Sequence, residues 1–600
     1  MAIAIPAPRV RVLGVEAFER PFRLRMPFRF GVITLTEGIQ AILRVRVRLN
    51  DGREGFGYAA EMLSAKWFDK NPALTDAQNQ HQLRKAIELA TAAYLEAAPS
   101  TPFELFANHY RYQIRAGRAA GLPALVASYG NALLDRAVMD AVCRAVGASF
   151  WTAMRSNLAG MAEHPLIPDL GAFDFTTFLA ELEPVRSIAA RHTVGLADPI
   201  VAADRPSGSR VDDGLPETLE EVVAAYGHRS FKLKVGGDRQ ADLARLVTIA
   251  GVLDKVGEGL HVTLDGNEQY DDVDAVVDLW EAMEAEPARS IAARHTVGLL
   301  DPIVAADQAP GTRVGDGLPE TLEEVVEAYG QRCFKLKVGG DRQADLERLV
   351  RIAGVLDTVP EGLRVTLDGN EQYEDVDAVV DLWEAMEAEP ALQKLCAATL
   401  FIEQPIKRQV ALSRRVAALA RHRPVIIDES DGEIESFVRA RTLGYGGVSS
   451  KDCKGFYKSV INLARCRLWN AEDEGSFFLS GEDLTTQAGL AVQQDLALVA
   501  LLGLPDVERN GHHFIDGFAG RPEGEARAYL EAHPDLYEPS GGKPRLRIRS
   551  GRLNLESLDC KAFGSAVVPD LSTSAPMARA EWPPAGAPAP AFAHSMPSSL

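Results

Sequence analysis

FKLKVGGD at 334–341, RVTLDGNEQY at 364–373, TLFIEQP at 399–405 and PVIIDES at 424–430 read as four successive short strands that carry charged side chains at or near their ends. Side chains alternate across a strand, so Lys335 and Lys337 share one face of FKLKV while Phe334, Leu336 and Val338 share the other. Asp368, Glu403 and Asp428 end the next three strands, and Lys451 ends the one after, GGVSSKD at 446–452. Amphipathic stretches such as RQADLERLVRIAGVLD separate the earlier strands. Strands alternating with helices predict a parallel sheet with helices on its face. One strand–helix unit per step puts all these side chains at the carboxyl ends of neighbouring strands, the face on which barrel enzymes carry their chemistry.

Working back along the chain, the first two of these stretches occur twice. FKLKVGGD recurs at 231–238 and HVTLDGNEQY at 261–270, and the whole of 183–285 is repeated as 286–388 with about 16 differences. Copy one therefore offers Lys232, Lys234 and Asp265 where copy two offers Lys335, Lys337 and Asp368. Each copy holds three strand–helix units, too long a period for a solenoid, so the repeat reads as a duplicated barrel segment. Three units plus five later strands (399–405, 424–430, 446–452, 476–483 and 512–518) make eight, the number that closes a β/α barrel. Asp368 stands one step before Glu403, whereas Asp265 is 138 residues before it. This favours copy two as the start of the barrel and copy one as a surplus module, although looping out a long segment costs little because closure entropy grows only logarithmically.

Before the repeat, IQAILRVRVRLNDGREGFGYAA at 39–60 alternates apolar and charged residues around Asn50-Asp51-Gly52, the chemistry of a tight hairpin. Periodic Ala- and Leu-rich stretches over 75–160 predict helices. The expected organisation is an α+β capping domain at 1–182, the surplus β/α segment at 183–285, a (β/α)8-type barrel at 286–530 and a return to the cap at 531–564. A Pro/Ala/Ser-rich tail at 565–600 is expected to be disordered.

Composition is that of a globular protein, with 46% hydrophobic and 25% charged residues. The net charge of −20 argues against a nucleic-acid partner, which needs a basic stripe. No apolar run is long enough to cross a bilayer, and no leader pattern opens the chain, so no membrane partner is expected. Six scattered cysteines without CxxC pairs predict reduced thiols in a cytoplasmic protein. Taken alone, a K-x-K strand is a solvated edge and an aspartate at a strand end is a helix cap. Three carboxylates that converge repel one another unless a hard divalent cation sits between them, and oxygen-only ligation suits Mg²⁺.

The ordered set of K-x-K at Lys335/Lys337, D-G-N at Asp368–Asn370, E-Q-P at Glu403–Pro405, D-E-S at Asp428–Ser430 and Lys451 in KDCKG resembles the enolase superfamily, in its mandelate racemase and muconate lactonizing branch. The likeness extends over roughly 20–560, with MPFRFGVITLTEG at 26–38 as a loop of the cap. It implies an Mg²⁺-dependent enzyme that removes the proton α to the carboxylate of a small substrate. By the same resemblance Lys337 and Lys451 are acid/base groups on opposite sides of the substrate, Lys335 assists Lys337, and Asp368, Glu403 and Asp428 bind the metal, with Glu429 behind them. Lys234, Lys232 and Asp265 are the copy-one equivalents. Racemisation or epimerisation, dehydration of an acid sugar and cycloisomerisation are the reactions in prospect, and a homo-oligomer is the expected assembly. Glu482 in LSGEDLT is a further candidate acid, and His512 and His513 could line the site. Two other readings are a homologue impaired by the duplication and a divalent-metal hydrolase, the latter weakened because no histidine lies in the carboxylate series.

Overall fold

The computed structural model describes residues 7–265 and 399–584 apart from short breaks, and within 266–398 the strands 294–297, 333–337 and 364–368 with residues 304, 321 and 323. Two compact units are present, Met1–Leu279 with Ala397–Leu600, and Trp280–Cys396.

The first unit opens with three antiparallel strands, β1 (Val10–Phe30), β2 (Ile33–Leu49) and β3 (Glu54–Met62). The Asn50-Asp51-Gly52 turn joins the last two. Gly52 adopts φ +88°, a conformation open to glycine, and its amide donates to Leu49 O at 3.0 Å. Helices Asp76–Glu96 and Pro102–Ala119 each begin in a capping box, Thr75 with Gln78 and Thr101 with Glu104. A third helix, Ala124–Val146, is buried from Leu125 to Cys143. It lies so close to β3 that a methyl on Gly57 would fall 2.0 Å from Ala137 O.

Next comes a cyclic order of parallel strands: β4 (Ser187–Val194), β5 (Ser230–Lys234) and β6 (His261–Asp265), which continue into β10 (Thr399–Glu403). The intervening β7 (Arg294–Val297), β8 (Cys333–Lys337) and β9 (Arg364–Asp368) belong to the second unit. The order runs on through β11 (Val425–Ile427), β12 (Gly447–Ser450), β13 (Phe478–Gly481) and β14 (Asp506–Glu508). β14 then pairs in parallel with β4 through Asp506↔Ala189, Val507↔Ala190 and Glu508↔Arg191, so eight strands form a ring. The α/β class read from the sequence holds.

Three sequence expectations differ from this arrangement. The sequence spacing favours copy two for the first strands of the barrel, but the strand beside β10 is β6 of copy one, with Asp265 opposite Glu403. Sequence distance was a weak guide because the entropy of closing a loop rises so slowly with its length. Copy two instead builds its own three-stranded parallel sheet, in which Lys337 pairs with Asp368 just as Lys234 pairs with Asp265. The eighth strand is Asp506–Glu508, not 512–518, because Phe514, Ile515 and Phe518 are buried at helical spacing and Gly511–Phe514 is a helical turn. The tail is ordered as far as 584: Ala575–Pro576 pairs with β1, and Trp582 Nε1 donates to Ala120 O at 2.7 Å. Residues 585–600 lie outside the described residues.

Cap and ring are joined by buried charge. Arg136 on the third helix is fully buried and bridges Glu61 of β3 and Asp452 after β12, each at 3.2 Å. Removing one member of such a group strands its partners without compensation. Arg136→Ala is expected to destabilise the first unit by about 3–5 kcal/mol in a urea titration followed by tryptophan fluorescence. A change below about 1 kcal/mol, as for an exposed pair, would show that the bridge does not hold cap to ring.

Candidate active site

The carboxyl ends of the ring strands carry a dense set of buried charges. Lys232 and Lys234 of β5 lie on one face of their strand, while Phe231 and Leu233 are buried on the other. The registers Lys234↔Asp265 and Asp265↔Glu403 set three of the charged residues in a row across β5, β6 and β10. Asp428 follows β11 and Lys451 follows β12.

Lys232 is the hub. Its Nζ lies 2.7 Å from Glu403 Oε2, 2.9 Å from Asp265 Oδ2, 2.9 Å from Glu482 Oε2 and 3.1 Å from Glu508 Oε2. Burial alone would lower its pKa, but these four carboxylates raise it well above the ordinary lysine value, so Lys232 is held as a fixed cation. Lys234 bonds Asp265 directly. Burial works against ionisation of Asp265, yet Lys232 and Lys234 hold it down at about 2. Further along the ring order Lys451 Nζ donates to Asp428 Oδ2 at 2.6 Å. Asp428 also accepts from Ser449 and, at 3.4 Å, from Lys454. Despite burial, Lys451 and Lys454 keep Asp428 well below the carboxylate range, and Asp428 in turn raises Lys451 against its own desolvation.

Glu403 is the exception. Burial, then the neighbouring Glu482 charge, push it well above the usual carboxylate value. The Lys232 ammonium beside its Oε2 does not reverse this, because it is shared among four acids. Among the described residues, Glu403 Oε1 meets no hydrogen-bond donor. The middle carboxylate of the series thus lacks a counter-charge of its own, and carboxylate oxygen is the donor type that a hard cation such as Mg²⁺ prefers.

Several participants were not legible in the sequence. Glu508 is buried and faces Lys232, but its three-residue strand offers only Val507 as an apolar signal. Trp67, on the short cap helix Ala65–Phe68, sets its ring 4.4 Å from Lys451 Nζ. Arg408 fixes that helix by donating to Trp67 O at 3.0 Å and Phe68 O at 2.9 Å. Gln404 takes φ +35°, a strained position for a side-chain-bearing residue. Its amide oxygen accepts from Asp428 N at 2.9 Å and Ser430 N at 3.2 Å, so the middle of the E-Q-P motif positions the D-E-S motif.

Of the residues named from the sequence, Glu403, Asp428 and Lys451 come together with Lys232, Lys234 and Asp265 of copy one. Lys335, Lys337 and Asp368 lie on β8 and β9 of the second unit, and their side chains are outside the described residues. Glu482 is fully buried on Lys232 and Arg191. Glu429 faces Lys70 of the cap at 3.8 Å. His512 is buried against two other histidines rather than in the charged cluster, and the side chain of His513 is outside the described residues.

Residues 317–453 match the family model for enolase C-terminal domain-like proteins. Among solved structures, the muconate lactonizing enzyme of Pseudomonas fluorescens in complex with muconolactone is 13% identical, with 94% of this chain and 97% of that chain covered at a TM-score of 0.46. The dipeptide epimerase of Enterococcus faecalis, in complex with Mg and the dipeptide L-Leu-L-Tyr, is 11% identical, covering 92% and 99% at a TM-score of 0.45. No curated protein matches the chain in sequence. Over residues 317–453 the chain is similar to the mandelate racemase and muconate lactonizing branch of the enolase superfamily.

Proposed function

We propose that the protein is an Mg²⁺-dependent enzyme that removes the proton α to the carboxylate of a small substrate, and that copy one supplies half of its site. The observation that carries this reading is the buried row Asp265, Glu403 and Asp428 with Lys234 at one end and Lys451 at the other. Asp265, Glu403 and Asp428 would hold the ion. A divalent cation there would neutralise excess carboxylate charge, draw the acids' hold away from the lysines and stabilise the charge that develops on the substrate's carboxylate oxygens.

The two lysines then act from opposite faces. Lys232 is locked among four carboxylates and serves to hold them in place, while Lys234, 8% exposed against 1% for Lys232, is the more accessible of the two. Lys234 and Lys451 are the groups placed to take a proton from one face and return one to the other, as racemisation or epimerisation requires. The same pair could instead let one lysine abstract the proton while the other assists a leaving hydroxyl, as in dehydration of an acid sugar. Pairing of β14 with β4 closes the described strands of the first unit into a ring, which supports a working enzyme over an impaired one. No helix among the described residues is long and apolar enough to cross a membrane.

The reading predicts Mg²⁺-dependent incorporation of deuterium at the α carbon when hydroxy acids, acid sugars and dipeptides are incubated with the protein in D₂O. Followed by ¹H NMR, exchange in at least one of these classes is expected, and it should stop on addition of EDTA. Exchange that continues in EDTA would contradict the metal's role, and silence across all three classes would contradict the assigned chemistry.

A further inference from the structure

His192, His228 and His512 form a second cluster of metal-ligating side chains, apart from the carboxylate row. His192 lies on β4, His228 just before β5 and His512 in the turn of helix after β14. All three are buried, at 2%, 1% and 7% exposure, and one ligating nitrogen from each lies within 4.8 Å of the other two. Their ring centroids are 5.2, 5.4 and 5.7 Å apart. We propose that these histidines bind a borderline divalent transition ion, Zn²⁺ in the first place, which staples the first two strands of the ring to the segment that follows the last.

The hydrogen bonding of His228 supports this assignment. Its Nδ1 lies 2.9 Å from Ala190 O, and since a carbonyl can only accept, Nδ1 carries the proton. In the neutral ring Nε2 is then left with its lone pair, and it lies 3.3 Å from His512 Nε2. Backbone anchoring of one ring nitrogen is the usual way in which the other is oriented toward a metal. Two imidazole nitrogens on a tetrahedral zinc, with bonds of about 2.0–2.1 Å, stand about 3.3–3.4 Å apart. Imidazole ligands without carboxylates suit Zn²⁺ and not Mg²⁺, so the two sites sort their ions by ligand chemistry. A cavity of about 40 Å³ borders His512 and Tyr226 and is large enough for a water.

The two copies differ here. Copy two keeps the first histidine as His295 but has Gln331 in place of His228. Only copy one can complete the trio, so a bound ion would favour copy one over copy two at the seam of the ring.

The test is a Co²⁺ titration of the full-length protein after treatment with a chelator, read by visible absorption. Expected are one equivalent of Co²⁺ with the intense bands of a four-coordinate site, displacement by Zn²⁺ and indifference to excess Mg²⁺. His228→Gln, the residue found in copy two, should weaken binding by more than the about 10–100-fold that follows loss of an outer hydrogen-bond partner. If His228→Gln does not fold, the wild-type spectrum and the zinc content of the untreated protein decide the matter alone. Absence of the band, a weak six-coordinate spectrum, or a band that persists in His228→Gln would overturn the proposal and leave an Nε2–H···Nε2 hydrogen bond within an aromatic cluster. None of these readouts depends on the carboxylate site, so failure here is distinguishable from failure of the proposed activity.

Discussion

Lys451→Ala is expected to lower Mg²⁺-dependent α-deuterium exchange by about 10²–10⁴-fold, the usual contribution of a positioned acid or base. Lys234→Ala should do the same from the other face. A two-base site adds a more specific signature: with one lysine gone, exchange starting from one enantiomer or epimer should survive better than exchange starting from the other. The fold should tolerate the change at 451, because Asp428 keeps Lys454 and Ser449 as partners. Thermal unfolding followed by circular dichroism checks that point. A Lys451→Ala protein that folds and exchanges both substrate forms at the wild-type rate would show that Lys451 is not a proton carrier.

The second large effect concerns the duplication. Excision of 286–388 is expected to leave the ring intact, since the described strands that form it come from 187–265 and 399–508. Excision of 183–285 should also give a folded chain, because copy two would then adjoin 399–403 directly and differs from copy one at only about 16 positions. Copy two already holds the needed strand register within its own sheet. Both shortened proteins should melt cooperatively and retain Mg²⁺-dependent exchange. Failure of the 286–388 excision to fold would contradict assignment of the ring to copy one. Failure of the 183–285 excision alone would locate essential packing in the few positions that differ, of which His228 and Ser230 are buried.

How far the sequence could be read follows from which signals are local. The hairpin at Asn50-Asp51-Gly52 and the strands around Lys234, Glu403 and Asp428 are short-range patterns of alternation and turn chemistry, and they appear where those patterns fall. The choice between copies is not local. Asp265 and Asp368 sit in nearly identical strands, and only the pairing Asp265↔Glu403 separates them. Strand β14 was missed because Val507 is its single fully apolar residue, while HHFIDGF offered a stronger but helical apolar pattern. Trp67 could not have been assigned from sequence at all, since its approach to Lys451 depends on the docking of cap on ring through Arg408.

The most direct test asks which aspartate holds the metal in the full-length protein. Mn²⁺, a paramagnetic substitute for Mg²⁺, can be titrated into the Zn²⁺-loaded wild type and the variants Asp265→Asn and Asp368→Asn, with free Mn²⁺ followed by electron paramagnetic resonance. If copy one completes the carboxylate row, Asp265→Asn loses the tight Mn²⁺ site and Asp368→Asn binds as the wild type does. Loss of that site in Asp368→Asn, with Asp265→Asn unaffected, would contradict the assignment.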